Sequence, residues 1–411
     1  MRMCLEYIHI HNYCLGGRDM KGRVFKVFTS SALAVGLLAG CSSGGGAGAG
    51  KTLADGDTVT IGLNFELSGG TASYGTAEYN GAKLAIDQYN ASDDAKYKIE
   101  IAEQDNKGDN AESTTAATRL ITEDGASVII GPATSGTSIA TYQVASDNSV
   151  PVISPSATQI SATTNDNGET YPYAFRICFE DSYQGAAMAQ YAYDTLGVKK
   201  AAIINEVSDY GQGLASTFKD VFTKKGGEVV AEQSYNSGDT DFASILTDMK
   251  SKDFDVLYIA GYYQEAGLII KQARDMGIDT PIVGADGFES EVLAQLAGAQ
   301  NLSNTYYTTC YTTLNASDEL TNFIDSYTEE YGEAPNMFSA LAYDSTNLAL
   351  QALEEAGATG EELKNTLEGI EFSGITGSFT FDDTHSPIKT VMIVELENGV
   401  QTAATEVEVE Q

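Results

Sequence analysis

The residues that most suggest catalysis lie close together near the start of the 411-residue chain. Residues 45–52 spell G-x-x-x-x-G-K-T, a pattern whose backbone N–H groups cradle phosphates when the loop joins a strand to a helix. Residues 40–44 spell G-x-S-x-G, the pattern of a serine nucleophile on a strand-to-helix turn. Neither motif has a predicted strand before it or a helical pattern after it. We therefore expect no serine hydrolase, and a nucleotide hydrolase that uses Lys51 is kept only as an alternative from another class.

Metal chemistry has few side chains to draw on. The chain contains 3 His and 5 Cys, with neither an H-E-x-x-H nor a C-x-x-C motif. Asp105 and Asp109 alternate as in a calcium loop, but Lys107 lies between them and the closing Glu is absent. His385 lies in a segment rich in turn residues. The sequence therefore predicts no metal site, no cofactor and no catalytic residue.

Residues 20–40 have the pattern of an export signal. Lys21, Arg23 and Lys26 precede the apolar run 32–39, which is shorter than the roughly 20 residues needed to span a bilayer. The run ends in Leu-Ala-Gly-Cys, which resembles a bacterial lipoprotein signal, so we expect Cys41 to be lipidated and to become the new N-terminus. Residues 41–57 begin with Ser and Gly and are predicted to form a flexible linker. Residues 1–19 lack this pattern and are predicted to be a mis-assigned start, with Met20 as the true one.

The charge of the chain excludes some partners. Lys and Arg number 23 against 58 Asp and Glu, which gives a net charge of −35. Nucleic acids and anionic lipid surfaces attract cationic side chains, so neither is an expected partner. Removal of residues 1–40 would leave the chain more acidic still, because more cations than acids lie there. This charge predicts a solvated exterior on a protein that lipid rather than charge holds at a membrane, with residues 402–411 forming an acidic tail.

From residue 58 onward, strands alternate with helices, which predicts βαβ units and parallel sheets. The first half has predicted strands at 58–67, 97–105, 127–130 and 150–154, with helices around 82–89, 111–123 and 139–146. After a break at 161–173 come strands at 174–179, 200–205, 228–234, 255–260 and 281–284, with helices at 184–196, 214–225 and 242–250. A strand at 305–310, two or three helices over 318–367, and a β pair formed by 377–381 and 389–396 complete the pattern. Two such halves predict two lobes beside a cleft, where ligands lie beyond the carboxyl ends of the strands.

Seven short motifs, in a fixed order, carry a resemblance to a known family. They are Leu67-Ser68-Gly69, Ser73-Tyr74-Gly75, Gly131-Pro132-Ala133-Thr134-Ser135, Pro155-Ser156-Ala157-Thr158, Asp209-Tyr210-Gly211-Gln212-Gly213, Gly261-Tyr262-Tyr263 and Gly284-Ala285-Asp286-Gly287. Together they resemble the substrate-binding lipoproteins of ABC importers for branched-chain amino acids, the Leu/Ile/Val-binding type. The resemblance implies an α/β fold of the type I periplasmic-binding class, with two Rossmann-like parallel-sheet lobes joined by a three-crossover hinge. Lobe 1 would then comprise residues 58–174 and 305–372, and lobe 2 residues 175–304 and 373–401.

The resemblance also implies which residues hold an amino acid. Ser135 and Thr158 match the family's carboxylate ligands, while Asp286, Thr158 and the backbone carbonyl of Ser156 match its ammonium ligands. The chemistry is consistent, because hydroxyls at a helix N-terminus suit a carboxylate and an acid suits an ammonium. Simpler alternatives stay open on sequence alone: a helix cap for Ser135, an ordinary loop for Thr158 and a turn for Asp286. Asp286 is also one methylene shorter than the Glu of well-known Leu/Ile/Val binders, which leaves the pose of the ligand open.

The side-chain pocket implied by the resemblance is aromatic. Tyr74, Tyr210 and Tyr262 match walls of the family's pocket, and Thr134 and Phe338 are further candidates. Tyr offers a large, rigid contact surface at low entropic cost. The chain contains 23 Tyr, so ordinary packing is the alternative for any single one of them.

Three further residues lie near the predicted hinge. Cys178 and Cys310 both fall on predicted crossover strands, so a disulfide and two separate buried thiols both stay open. Arg176, beside the hinge strand, is predicted to be structural.

The sequence therefore predicts a non-enzymatic receptor of an ABC importer. We expect it to be exported, lipid-anchored to the outer face of the cell membrane, and monomeric. It would bind Leu, Ile, Val or a related amino acid between two closing lobes and deliver it to the permease subunits. An alternative within the same fold is a receptor for an amide, urea or an aromatic acid.

Overall fold

The computed structural model describes residues 50–165, 167–314 and 316–409. The first strands and helices are β1 (Thr58–Phe65), α1 (Ala72–Ala91), β2 (Lys98–Asp105), α2 (Asn110–Thr122), β3 (Val128–Ile130), α3 (Ser135–Asp147), β4 (Val152–Ser154) and β5 (Ala174–Arg176). They are followed by α4 (Asp181–Asp194), β6 (Lys200–Glu206), α5 (Asp209–Lys224), β7 (Glu228–Tyr235), α6 (Ala243–Lys250), β8 (Val256–Ala260), α7 (Tyr263–Asp275), β9 (Ile282–Gly284), α8 (Glu291–Ala297) and β10 (Thr305–Thr309). The last are α9 (Asp318–Tyr331), α10 (Met337–Ala356), α11 (Glu361–Gly369), β11 (Phe372–Gly374), β12 (Gly377–Phe379), β13 (Val391–Glu397) and β14 (Val400–Val407).

These strands build two main sheets. The first has the order β2-β1-β3-β4-β5, and all of its pairings are parallel. The second has the order β14-β13-β10-β9-β8-β6-β7, parallel from β10 to β7 and antiparallel at β13 and β14. The predicted α/β class with two parallel-sheet lobes is confirmed. The central strands β3, β4, β8 and β9 are buried along their whole length, as expected when helices cover both faces of a parallel sheet.

Local signals fix the helices that border the cleft. The carboxylate of Asp109 accepts hydrogen bonds from the N–H groups of Ala111 and Glu112 and so starts α2. Asn336 and Ser339 form a reciprocal capping box at the start of α10. Helix α10 packs along α1 in the first lobe. In the described ranges, every helix is too short or too polar to cross a lipid bilayer.

The described chain passes between the two main sheets after β5, after β10 and between β12 and β13. The observed boundaries differ from the predicted ones. Strand β5 pairs with β4, so lobe 1 continues to Arg176, and β10 pairs with β9, so residues 305–309 belong to lobe 2 rather than to lobe 1. The predicted β pair is also wrong, because β12 pairs with β11 while β13 pairs with β10 and β14. The predicted tail begins at residue 402, but residues 402–407 belong to the edge strand β14.

The start of the described chain lies against the first lobe. The N–H of Leu53 donates to the carbonyl of Gly357 at 2.8 Å, and the N–H of Lys51 donates to the Thr359 hydroxyl at 2.9 Å. The predicted linker therefore ends before residue 50, because residues 51–53 bond to the turn that follows α10 and residues 56–57 bond to the start of β2. Residues 1–19, the predicted signal 20–40, Cys41 and the rest of the predicted linker to residue 49 lie outside the described residues.

Candidate functional site

A small, nearly filled cavity lies between the lobes, where the loops that follow β3, β4 and β9 meet. Parallel strands collect their loops at one edge of the sheet, which is why residues far apart in sequence converge there. The cavity is lined by Tyr74, Ala133, Thr134, Ser135, Ser156, Tyr210, Tyr262, Asp286, Gly287 and Phe338.

An acid forms the wall of the cavity on the second lobe. The Asp286 side chain is 3% exposed, and its Oδ1 accepts hydrogen bonds from the Tyr210 hydroxyl at 2.6 Å and from Gln184 Nε2 at 3.0 Å. Burial raises the pKa of Asp286 to about 6, against the opposing effect of these donors. Both side-chain donors converge on Oδ1, so Oδ2 is the oxygen that neither of them uses.

Two residues behind Asp286 complete a polar network. Gln184 Nε2 also donates to Asp181 Oδ1 at 2.8 Å, and Gln184 Oε1 accepts from the Thr308 hydroxyl at 2.7 Å. Burial, and then the charge of Asp286, raise the pKa of Asp181 to about 8. The Thr158 hydroxyl acts in the opposite direction, as a hydrogen-bond donor to Asp181. Gln184 therefore holds two carboxyl groups in fixed positions beside the cavity.

The first lobe supplies the N-terminus of α3. Thr134 is the N-cap residue, but its side chain makes no capping bond to the helix. The cap comes instead from Glu66, whose carboxylate accepts from the N–H of Ala133 at 3.1 Å and from the N–H of Thr134 at 3.2 Å. A cap made by residue 134 or 135 alone, which the sequence left open, is therefore not what the structure has. Ser135 is the first helical residue, and its hydroxyl accepts from the N–H of Gln159 at 3.3 Å.

Thr158 lies in the loop that follows β4. Its side chain is 1% exposed, and its hydroxyl lies beside the carboxyl of Asp181, whose pKa it lowers as a donor. The loop is fixed by Arg176, which is fully buried and donates from one nitrogen to the carbonyls of Thr158 and Gln159 at 2.9 and 2.7 Å. A second nitrogen of Arg176 donates to the Ser386 hydroxyl at 2.8 Å, which ties this loop to the third crossover. Arg176 is thus a structural residue that positions the loop carrying Thr158.

Aromatic rings form the remaining walls. Tyr74 packs against Phe338 with ring centroids 4.2 Å apart, and Tyr210 stacks on Tyr262 at 4.7 Å. The Tyr74 hydroxyl donates to the carbonyl of Gly287 on the other lobe. Burial raises the pKa of each of these tyrosines well above its ordinary value, so they are neutral. The side-chain region of the cavity is therefore aromatic and uncharged, next to a single acid.

The family model described as "Periplasmic binding protein" matches residues 58–401. The chain belongs to this family. This chain is 30% identical to the Leu/Ile/Val-binding protein BraC3 of Rhizobium johnstonii, over 79% of this chain and 88% of BraC3. Its structure is similar to LivJ of Streptococcus pneumoniae, a branched-chain amino acid transporter substrate-binding protein solved with isoleucine, at 42% identity and a TM-score of 0.80, over 85% of this chain and 99% of LivJ. It is also similar to the leucine-binding protein LivK of Thermotoga maritima, at 30% identity and a TM-score of 0.78, over 84% of this chain and 98% of LivK.

Most of the residues predicted for the site in this periplasmic binding protein come together. Eight line the cavity: Tyr74, Thr134, Ser135, Ser156, Tyr210, Tyr262, Asp286 and Phe338. Thr158 does not line it but lies in the same loop as Ser156. Their roles toward a ligand stay predictions.

Sequence reasoning missed the residues that hold this set in place. Glu66, Asp181 and Gln184 are buried and bond to it, yet none belongs to the motifs that carried the resemblance. The one signal for Glu66 in the sequence was an acid directly after an apolar strand. Cys178 and Cys310 are both free thiols. Among the described residues, no group of His, Cys, Asp and Glu could hold a metal ion.

Proposed function

We propose that this protein is an extracytoplasmic receptor of an ABC importer that binds Leu, Ile, Val or a related amino acid and delivers it to the permease subunits. One observation carries the proposal. The cavity brings together the buried carboxyl of Asp286 on one lobe, whose side-chain donors both bind Oδ1, and the Ser135 hydroxyl at the N-terminus of α3 on the other. An acid and a helix N-terminus on opposite walls fit the ammonium and the carboxylate of a zwitterionic ligand.

The roles follow from the chemistry of each wall. The ligand carboxylate would accept from the hydroxyls of Ser135 and Thr158 at the positive end of α3. The ammonium would pair with Asp286 and donate to the carbonyl of Ser156 and the hydroxyl of Thr158. The apolar side chain would lie against Tyr74, Tyr210, Tyr262 and Phe338, beside Thr134. LivJ, which is 42% identical to this chain, was solved with isoleucine, and this supports a branched-chain ligand.

Contacts across the cleft support closure of the lobes on the ligand. The hydroxyls of Ser73 and Ser290 lie 2.8 Å apart, and the Tyr263 hydroxyl accepts from the N–H of Ser73 at 3.2 Å. These bonds join helix α1 of lobe 1 to lobe 2. The ring of Tyr74 also packs on Tyr263 across the cleft, with centroids 4.9 Å apart.

Thermal unfolding with a panel of amino acids tests the proposal. Leu, Ile or Val at about 100 times its Kd should stabilise the fold by roughly 2.7 kcal/mol. Asp286→Asn should abolish this stabilisation, whereas the matched control Asp253→Asn, at a side chain 92% exposed, should leave it intact. Stabilisation by an amide, urea or an aromatic acid that survives Asp286→Asn would favour the alternative ligand class. No stabilisation by any amino acid would refute the proposal.

The proposal includes a lipid anchor at Cys41 and a monomeric receptor on the outer face of the membrane. The Leu-Ala-Gly-Cys motif supports the anchor, and the excess of acidic side chains argues against attachment through basic residues. Radiolabelled palmitate should label the wild-type protein and not Cys41→Ala, which should be released from the membrane. Size-exclusion chromatography with light scattering should give the monomer mass.

A further inference from the structure

Two buried glutamates lie behind the cavity on the first lobe. Glu66 follows β1 and Glu78 lies on α1, and both side chains are fully buried. Neither lines the cavity, but each contacts a residue that does. The hydrogen-bond partners of the two acids differ in kind, and this difference separates their roles.

Glu66 is surrounded by donors. Its Oε2 accepts from the N–H of Ala133 at 3.1 Å, and its Oε1 accepts from the N–H of Thr134 at 3.2 Å. A backbone N–H can only donate. Both oxygens of Glu66 must therefore accept, which is the behaviour of an ionised carboxylate at a helix N-terminus.

Glu78 and the backbone carbonyl of Ala133 share one hydroxyl, that of Ser156. Glu78 Oε1 is hydrogen-bonded to the hydroxyl of Ser156, and that hydroxyl also lies 2.9 Å from the carbonyl oxygen of Ala133. A carbonyl can only accept, and a hydroxyl has one proton to give. If Ser156 donates to Ala133, the proton between Glu78 and Ser156 must belong to Glu78. The other oxygen of Glu78, Oε2, is buried without a partner in the described structure, which would be costly for a full negative charge.

We propose that Glu78 is a protonated, neutral donor that positions the two ligand loops of lobe 1, residues 131–135 and 155–159, while Glu66 is the ionised acceptor beside it. The chain of bonds runs from Glu78 to Ser156 and from Ser156 to Ala133. It joins the loop after β4 to the loop after β3, so Ser135 and Thr158 are held in one arrangement. Glu78 is a positioning residue, since it acts on the ligand through Ser156.

The electrostatics agree with this division of charge. Burial raises the pKa of Glu78 well above its ordinary value, and the nearby charge of Glu66 raises it further. Glu66 is the titratable group that acts on Glu78, and the Ser156 hydroxyl is the opposing hydrogen bond. Burial also raises the pKa of Glu66, but four hydrogen bonds oppose that effect. Two neighbouring buried carboxyls rarely ionise together, so the proton is expected on Glu78, the acid without backbone N–H donors.

Matched Gln substitutions test the proposal because they predict opposite outcomes. The amide of Glu78→Gln can donate to Ser156 as the acid does. The Kd for Leu and the unfolding equilibrium constant should therefore each stay within about threefold of wild type. Glu66→Gln must turn its NH₂ group toward a backbone N–H, so its unfolding equilibrium should shift by about 10- to 100-fold toward the unfolded state. Glu78→Ala removes the donor and should weaken Leu binding by about tenfold, and the recovery in Glu78→Gln distinguishes donation from charge.

Infrared difference spectroscopy supplies a readout that packing alone would not change. The wild-type minus Glu78→Gln spectrum at pH 7 should contain the C=O stretch of a protonated carboxylic acid, which shifts in D₂O. Loss of an ionised-carboxylate band instead, or a Glu78→Gln protein as unstable as Glu66→Gln, would overturn the proposal. The role toward a ligand rests on the proposed function, but the unfolding and infrared measurements need no ligand. If wild type binds no amino acid, the proposed function fails while these two measurements still decide the state of Glu78.

Discussion

Replacement of Asp286 by Asn should abolish ligand binding and, at the same time, stabilise the unliganded protein. The Tyr210 hydroxyl and Gln184 Nε2 both donate to Oδ1, so the amide oxygen of Asn must take that position. Its NH₂ group then replaces Oδ2, the oxygen proposed for the ammonium, and a donor would face a donor. Breaking a buried ion pair costs about 3–5 kcal/mol, which raises Kd by roughly two to four orders of magnitude.

The stability change has the opposite sign. Burial raises the pKa of Asp286 from 3.8 to about 6 in the folded protein. The unfolded chain loses this proton first, so the carboxyl destabilises the fold progressively as pH rises from about 4 to about 6. Two pKa units correspond to about 3 kcal/mol as an upper estimate. Asp286→Asn removes this cost, so the unfolding free energy of the unliganded protein should rise at pH 8 and change little at pH 4.

Titration calorimetry with Leu and calorimetric unfolding at both pH values measure the two effects on one protein. Asp253→Asn, at an exposed position, is the control for removal of one negative charge. If Asp286→Asn bound Leu within about threefold of wild type, the proposed ammonium pairing would be wrong, since its loss should cost far more. If the variant were less stable than wild type at pH 8, the reasoning from burial would be wrong.

Three further predictions concern binding and stability. Leu affinity should be constant above pH 6 and fall by up to about tenfold per pH unit below it, because protonated Asp286 cannot pair with an ammonium; calorimetry showing a flat profile from pH 7 to pH 4 would contradict this. Tyr74→Phe removes the bond to Gly287 across the cleft and should weaken Leu binding by about tenfold without unfolding the protein, and an unchanged Kd would argue against its role in closure. Arg176→Met leaves the carbonyl of Thr158 and the carboxylate of Glu180 without their donor, and should destabilise the fold by about 3–5 kcal/mol in denaturant titrations. A loss under about 1 kcal/mol would show that water replaces the guanidinium.

Local sequence patterns predicted the strands and helices closely. The continuous apolar run predicted as a strand at 255–260 forms β8 (Val256–Ala260), and the helix predicted at 242–250 forms α6 (Ala243–Lys250). Such elements depend on hydrophobic periodicity and on capping residues within the segment itself. The alternation of these elements then implied parallel sheets and a cleft at the ends of their strands.

Strand partners were less predictable because pairing joins distant segments. Nothing within residues 305–309 indicates whether they belong beside β4 or beside β9, and the structure places them next to β9. The strand β13 has an alternating pattern that suits any neighbour, and its partners are β10 and β14 rather than β12. Residues 402–407 fall within the predicted acidic tail, but they belong to the edge strand β14, which pairs with β13.

The sequence alone determined the fold class and the positions of Ser135, Thr158 and Asp286, since each follows a strand in a local motif. Only the tertiary structure decided which groups form hydrogen bonds to those residues and how burial shifts the pKa values of the acids among them. Glu66, which follows β1, caps α3. Gln184 joins Asp286 to Asp181, which lies with Gln184 on α4. These bonds form between segments that meet only when the sheets assemble, and their burial, which raises the pKa values, exists only in the folded lobes.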